Sequence, residues 1–223
     1  MAELLSRWAE VQGFLAKGGP AIWAISALSV LTMALILWKI WRLLLLGAWA
    51  GQTTERAVRL WEAGQIEPAQ TLLQRRKALR ATVARSAMEV RLNAHFTKED
   101  AREEITRIAK NQLIHARQGL RALELISTIA PLLGLLGTVL GMIAAFQTLQ
   151  DAGSRADPAA LAGGIWEALL TTAAGMAVAI PAGVALTWFE SVADRAQADM
   201  EDAITRILTR SPDVRVPVQQ AAE

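Results

Sequence analysis

The chain has 223 residues, 53% of them hydrophobic, and a formal charge of +2 from 23 basic and 21 acidic side chains. It has no cysteine, which excludes disulfides, thiolate metal sites and a cysteine nucleophile. The two histidines, His95 and His115, lie in a charged region without metal-ligand spacing, so neither a metal nor a cofactor is expected.

Residues 1–19 open the chain. Leu4, Trp8, Val11 and Leu15 share one face of a short amphipathic helix, with Arg7 and Glu10 off it, as in helices that lie on a membrane surface. Glu3 and Glu10 stand where the basic segment of a cleaved signal peptide would be, so none is expected. Gly18-Gly19-Pro20 ends the segment. Residues 20–38 are read as the first membrane crossing: Ala21–Trp38 carries no charge, and Trp23, Trp38 and Trp41 fall where interfacial aromatics gather.

Residues 39–122 are polar. Lys39–Arg121 holds 16 of the 23 basic residues against eight acids, which by the positive-inside rule places this region in the cytoplasm and its cations near anionic lipid. The cations are interspersed with Glu and lack an aromatic stacking pattern, so nucleic acid is not an expected partner. Its signals are helical. Gly64 reads as the stop of a helix over Thr54–Ala63, Pro68–Val90 has helical apolar spacing, and Thr97 with Asp100 forms a near capping box. From Lys98 to Leu149 a single continuous helix is expected, about 75–80 Å long.

Residues 123–150 form the second crossing, uncharged from Leu125 to Gln150. Pro131 is expected to kink it, while Gly134, Gly137 and Gly141 allow a close helix approach. Thr138 lies about 21 Å along the helix from Glu124, near the bilayer middle. Residues 151–160 read as a short outer loop, in which Asp157 can cap and Pro158 suits a first helical position.

Residues 161–189 form the third crossing, around which the chain is organised. Glu167, Thr171, Gly175, Ala179 and Gly183 recur every four residues on one side, beside Gly164, Ala168 and Thr172. Bulky Leu169, Met176 and Ile180 lie elsewhere, and Pro181 is expected to kink the inner half. An acid in a membrane helix is costly, which makes Glu167 a candidate functional residue. Thr172, about 15 Å from Ala162, should lie at the depth of Thr138 on the antiparallel neighbour. Residues 190–210 keep helical spacing into the cytoplasm, and 211–223 read as a disordered tail. The fold class is all-α: an integral membrane protein with three transmembrane helices, two of them extended far into the cytoplasm.

Two stretches, APLLGLLGTVLGM (Ala130–Met142) and GGIWEALLTTAAGMAVAIPA (Gly163–Ala182), resemble the ExbB/TolQ family of proton-channel proteins, with ExbB nearest in local spelling and MotA a more distant relative. The resemblance implies a homopentameric ring around a central pore that holds the helices of an ExbD- or TolR-like protein with an essential Asp. It implies that proton motive force drives the complex and that the work passes to a TonB- or TolA-like protein. Carried over by position, the pore residues are Thr138, Thr172 and Glu167, and Thr171 is counted with them in the ion path as an extra hydroxyl, at a position where relatives often have Ala. Trp166 replaces a small residue beside Glu167.

The resemblance thus implies an inner-membrane motor subunit energising TonB-dependent outer-membrane transport, with the N-terminus periplasmic and the C-terminus cytoplasmic. On that reading, Thr138 and Thr172 lower the cost of ionising the partner's Asp at the midplane, while Glu167 tunes access from outside. A TolQ-type role in envelope maintenance and a non-conducting scaffold for a partner helix are the alternatives, and sodium is an alternative ion. The crossings lack a His, Cys or paired-carboxylate constellation, so an enzyme is not expected.

Overall fold

The computed structural model describes residues 19–48, 51–93, 95–153 and 158–209. The amphipathic segment expected over residues 1–16, the capping residue Asp157 and the tail 211–223 lie outside the described residues. Among the described residues, seven helices follow in order: α1 Gly19–Leu45, α2 Gly51–Glu62, α3 Ile66–Gln74, α4 Leu79–Leu92, α5 Lys98–Arg117, α6 Leu120–Ala152 and α7 Pro158–Thr209. No strand occurs among the described residues. Among the described residues, three helical stretches are long and apolar enough to cross a membrane, so this is a multi-pass membrane protein of all-α class.

The chain divides into two compact units. One holds residues up to Lys39 and Gly119–Trp188; the other holds Ile40–Gln118 and the chain from Phe189 onward. In the first, α1, α6 and the first part of α7 pack through Ile25, Ile126, Ala130, Val178 and Ala182. Most of its large apolar side chains face outward, among them Val30 at 72% and Ile180 at 63% exposure, as helices in contact with lipid require. Pro131 and Pro181 lie inside helices that continue through them. Each lacks the N–H that would have bonded the carbonyl four residues earlier, at Ser127 and Ala177.

In the second unit, Trp61, Leu73, Leu79, Met88 and Ile105 from four short helices gather with Met200 and Ile207 of α7 in one buried core. The Thr97 hydroxyl accepts from the Asp100 N–H at 3.1 Å and the Asp100 carboxylate accepts from the Thr97 N–H at 3.4 Å, a complete capping box that starts α5. Gly64, with φ +78°, follows α2.

Two expectations are corrected. The helix from Lys98 is not continuous to Leu149: it stops at Arg117, and α6 begins at Leu120. Gly119 between them has φ +83°, the left-handed conformation that only glycine adopts without strain. Pro68–Val90 is likewise interrupted over Arg75–Ala78, where the Leu79 N–H donates to the Leu46 carbonyl at 3.1 Å instead of to its own helix. The second break is held by this tertiary hydrogen bond.

Candidate functional site

Small residues bring α6 and α7 together. Along α6 these are Ala130, Gly134, Gly137, Gly141 and Ala145; along α7, Gly164, Ala168, Thr171 and Gly175. A β-carbon on Gly175 would stand 2.6 Å from the Ala130 carbonyl oxygen and 3.0 Å from the Gly134 Cα. One on Gly141 would stand 2.9 Å from the Ala168 Cβ, and one on Gly164 would stand 2.7 Å from the Ala145 Cβ. The pairing is antiparallel, and the backbones approach so closely that only hydrogen fits at these positions. Gly183 is looser, its nearest neighbour the Ser127 Cβ at 3.9 Å. Ala130 and Ala145 are members of this seam that the sequence reading did not single out as packing residues. Their signal was the spacing 130, 134, 137, 141, 145, which keeps small residues on one helical face.

The threonines differ in their setting. Thr171 is 3% exposed and turned into the seam. Its hydroxyl lies 2.7 Å from the Ala168 carbonyl and 3.2 Å from the Gly134 carbonyl. Thr172, one residue and 100° further round, is half-buried, and its hydroxyl donates to the same Gly134 carbonyl at 3.2 Å. Thr138 is four residues beyond Gly134, so its hydroxyl lies about 6 Å along α6 from the Thr172 contact. It donates to the Leu135 carbonyl at 2.7 Å and borders a shallow recess of about 490 Å³ with Met142, Phe146 and Gln147. Glu167 is half-buried one turn before Thr171, next to Trp166, which is 68% exposed.

In each of these contacts the carbonyl can only accept, so the hydroxyl hydrogen is already committed. What Thr138 and Thr172 leave available is oxygen lone pairs, suited to accept from a protonated carboxyl or to meet a cation.

The second unit carries its own charge network. Arg206 on α7 makes two bonds to Glu62, at 3.0 and 2.7 Å, and one each to Glu55 at 2.9 Å and Asp202 at 3.2 Å. The Glu62 hydrogen bonds foremost, aided by those to Glu55 and Asp202, raise the Arg206 pKa above the usual arginine range against a smaller desolvation cost. Arg80 is 8% exposed; its Nε stands 2.7 Å from Asp199 Oδ2 without hydrogen-bond alignment, so this contact is chiefly Coulombic. Arg117 pairs with Asp194 at 2.8 Å. Among the described residues no cluster of three His, Asp or Glu is placed to hold a metal.

The profile of the MotA/TolQ/ExbB proton channel family matches residues 75–202, more than half of the chain. The biopolymer transport protein exbB1 of Vibrio cholerae is 43% identical over 89 residues, 40% of this chain and 39% of that protein. An ExbB-like biopolymer transport protein of Synechocystis is 47% identical over 88 residues, 39% of this chain and 35% of that protein. The biopolymer transport protein ExbB of Pseudomonas putida is 28% identical over 217 residues, 93% of this chain and 64% of that protein. The matches thus span less than two thirds of each relative's length. The chain belongs to the MotA/TolQ/ExbB proton channel family, and within it is most like ExbB.

Proposed function

We propose that this chain is the channel subunit of an ExbB-type motor in the bacterial inner membrane, with its N-terminus periplasmic and its C-terminus cytoplasmic. Five copies form a ring around the Asp-bearing helices of an ExbD-like partner. The complex uses proton motive force to energise TonB-dependent transport across the outer membrane. The observation that carries this reading is where α6 and α7 meet at Gly134: Thr172 donates to its carbonyl, and Thr138, bonded to Leu135, stands one turn beyond. This supports two hydroxyls at nearly one depth on adjoining helices, within the family's matched region.

In the mechanism we infer, the hydroxyls act first as acceptors. A protonated Asp of the partner donates to a Thr138 or Thr172 oxygen. Once the Asp is ionised, a hydroxyl must leave its backbone carbonyl before it can donate to the carboxylate, at a cost of about 1 kcal/mol. That exchange ties protonation of the partner to a change at the wall, so the ring steps only as the proton moves. Glu167, nearer the outer side, governs entry. The seam keeps α6 and α7 moving as one body.

The test is proton flux into proteoliposomes that hold the chain with its partner. Thr172→Val should lower the flux at least severalfold; an unchanged flux would contradict the hydroxyl role. The committed hydroxyl hydrogens also favour a second reading, a non-conducting scaffold in which the threonines only pack. That reading predicts no flux dependent on the partner's Asp. Sodium as the coupling ion, or a TolQ-type role with TolR- and TolA-like partners, would leave the geometry the same. The partner's identity and the ion that carries current separate those readings.

A further inference from the structure

The loop between α3 and α4 carries three consecutive cations, Arg75, Arg76 and Lys77. They line an open recess of about 490 Å³ together with Arg85, Gln74, Thr82 and Gln112, and no carboxylate lines it. Elsewhere in this unit Arg59, Arg107, Arg117 and Arg206 each stand against an acid. Among the described residues no acid lies within ion-pair distance of Arg75, Arg76 or Lys77. The nearest pairing is that of Arg85 with Glu89, loose at 3.7 Å.

Three like charges in a row repel, and these fall where the helix is interrupted. Tertiary bonds hold the interruption in place. The Leu79 N–H donates to the Leu46 carbonyl, and Arg80 Nη1 donates to the Ala48 carbonyl. These acceptors form the turn that follows α1. At 27 residues α1 is about 40 Å long, enough to span the hydrocarbon core and reach the headgroups. Trp41, Leu44 and Leu45 in its last turns are all more than half exposed, as side chains meeting lipid would be. Lys77 is two residues from Leu79 and Arg75 is four, so their α-carbons lie within about 7 and 14 Å of the Leu79 α-carbon, roughly one to one and a half Debye lengths.

We propose that Arg75, Arg76, Lys77 and Arg85 form a binding site for the phosphate of an anionic phospholipid in the membrane that α1 spans. The site clamps the α3–α4 loop to the cytoplasmic leaflet. Charge complementarity and the headgroup-level placement of the Leu46–Ala48 turn select this ligand. The site is separate from the Thr138–Thr172 region and independent of what the chain transports.

The test uses the full chain in an uncharged detergent, with lipid retention read by native mass spectrometry. The wild type should hold phosphatidylglycerol in preference to phosphatidylcholine. The triple variant Arg75→Gln, Arg76→Gln, Lys77→Gln should lose phosphatidylglycerol by about fivefold per charge, on the order of 100-fold in all, with its phosphatidylcholine retention unchanged. Arg75→Lys with Arg76→Lys keeps the charge and should keep the lipid. Lys98→Gln, Arg102→Gln, Lys110→Gln removes the same net charge elsewhere and should also keep it. An unchanged triple variant, an equal loss in the charge-matched control, or loss in the Lys variant would overturn the proposal. Displacement of the lipid by millimolar inorganic phosphate would likewise overturn it, by assigning the site to the free ion. Thermal melting of each variant confirms that the fold is retained.

Discussion

A β-carbon on Gly137 would stand 2.5 Å from the hydroxyl oxygen of Thr171, across the contact between α6 and α7. The two residues form an interlock: the glycine makes room for the hydroxyl, and the hydroxyl turns to backbone carbonyls on both helices. Gly137→Ala should therefore destabilise the first unit by about 1–3 kcal/mol through overpacking. Gly137→Ala combined with Thr171→Ala should recover part of that loss. Thermal unfolding of the detergent-solubilised protein measures both.

The tight and loose glycines should separate cleanly. Gly175→Ala meets the backbone of α6 at 2.6 Å, where nothing flexible can give way, so a loss of at least 2 kcal/mol or failure to accumulate in the membrane is expected. Gly183→Ala meets only the Ser127 Cβ at 3.9 Å, an ordinary contact, and should melt within about 0.5 kcal/mol of wild type.

Thr171 and Thr172 should have opposite profiles. Thr171→Val removes a buried hydroxyl bonded within the seam and should cost about 1 kcal/mol of stability, while proton flux per folded complex changes little. Thr172→Val should cost less stability and most of the flux. A flux loss larger at Thr171 than at Thr172 would reverse their roles.

Gly119→Ala should be costly for two independent reasons. The residue has φ +83°, which disfavours a β-carbon by about 1–2 kcal/mol. That β-carbon would also stand 2.8 Å from the Trp38 ring. Circular dichroism melting should show the loss, and Trp38→Ala should relieve the steric part while leaving the backbone part.

The charge network predicts where pH matters. The Arg206 pKa is raised above an already high value by Glu62 foremost, so its contribution is fully present at every working pH and would fade only in extreme alkali. Arg206→Met should cost about 1–2 kcal/mol with no restoration at neutral or mildly alkaline pH. Glu104 behaves oppositely. The hydrogen bond from Arg107 lowers its carboxyl below the ordinary range, so the favourable pairing is present above the ordinary carboxylate pKa and is lost as pH falls through the lowered one. Arg107→Gln should move the Glu104 titration, followed by carboxyl NMR shifts, back up toward the ordinary carboxylate value.

Much of this architecture was legible in the sequence because membrane helices declare themselves locally. Uncharged runs, the Thr97 capping box and the glycine spacing of α6 each carry their own physical signal. What was not legible depends on tertiary contacts. Nothing between Gln74 and Leu79 is a helix breaker by type; the chain leaves the helix there because Leu79 bonds the carbonyl of Leu46. A single glycine in a helical pattern is usually tolerated, and Gly119 ends a helix only because it adopts positive φ beside Trp38. Thr171 and Thr172 are identical by residue type. Only the rotation of α7 against α6 decides that one is sealed inside the seam while the other stays half-exposed.

The most direct measurement is the native mass of the complex purified after co-expression with the neighbouring gene. The expected result is five copies of this chain around two copies of a single-crossing, Asp-bearing protein. A monomer, a dimer, or a ring that holds no such partner would contradict the motor and return Thr138 and Thr172 to packing residues.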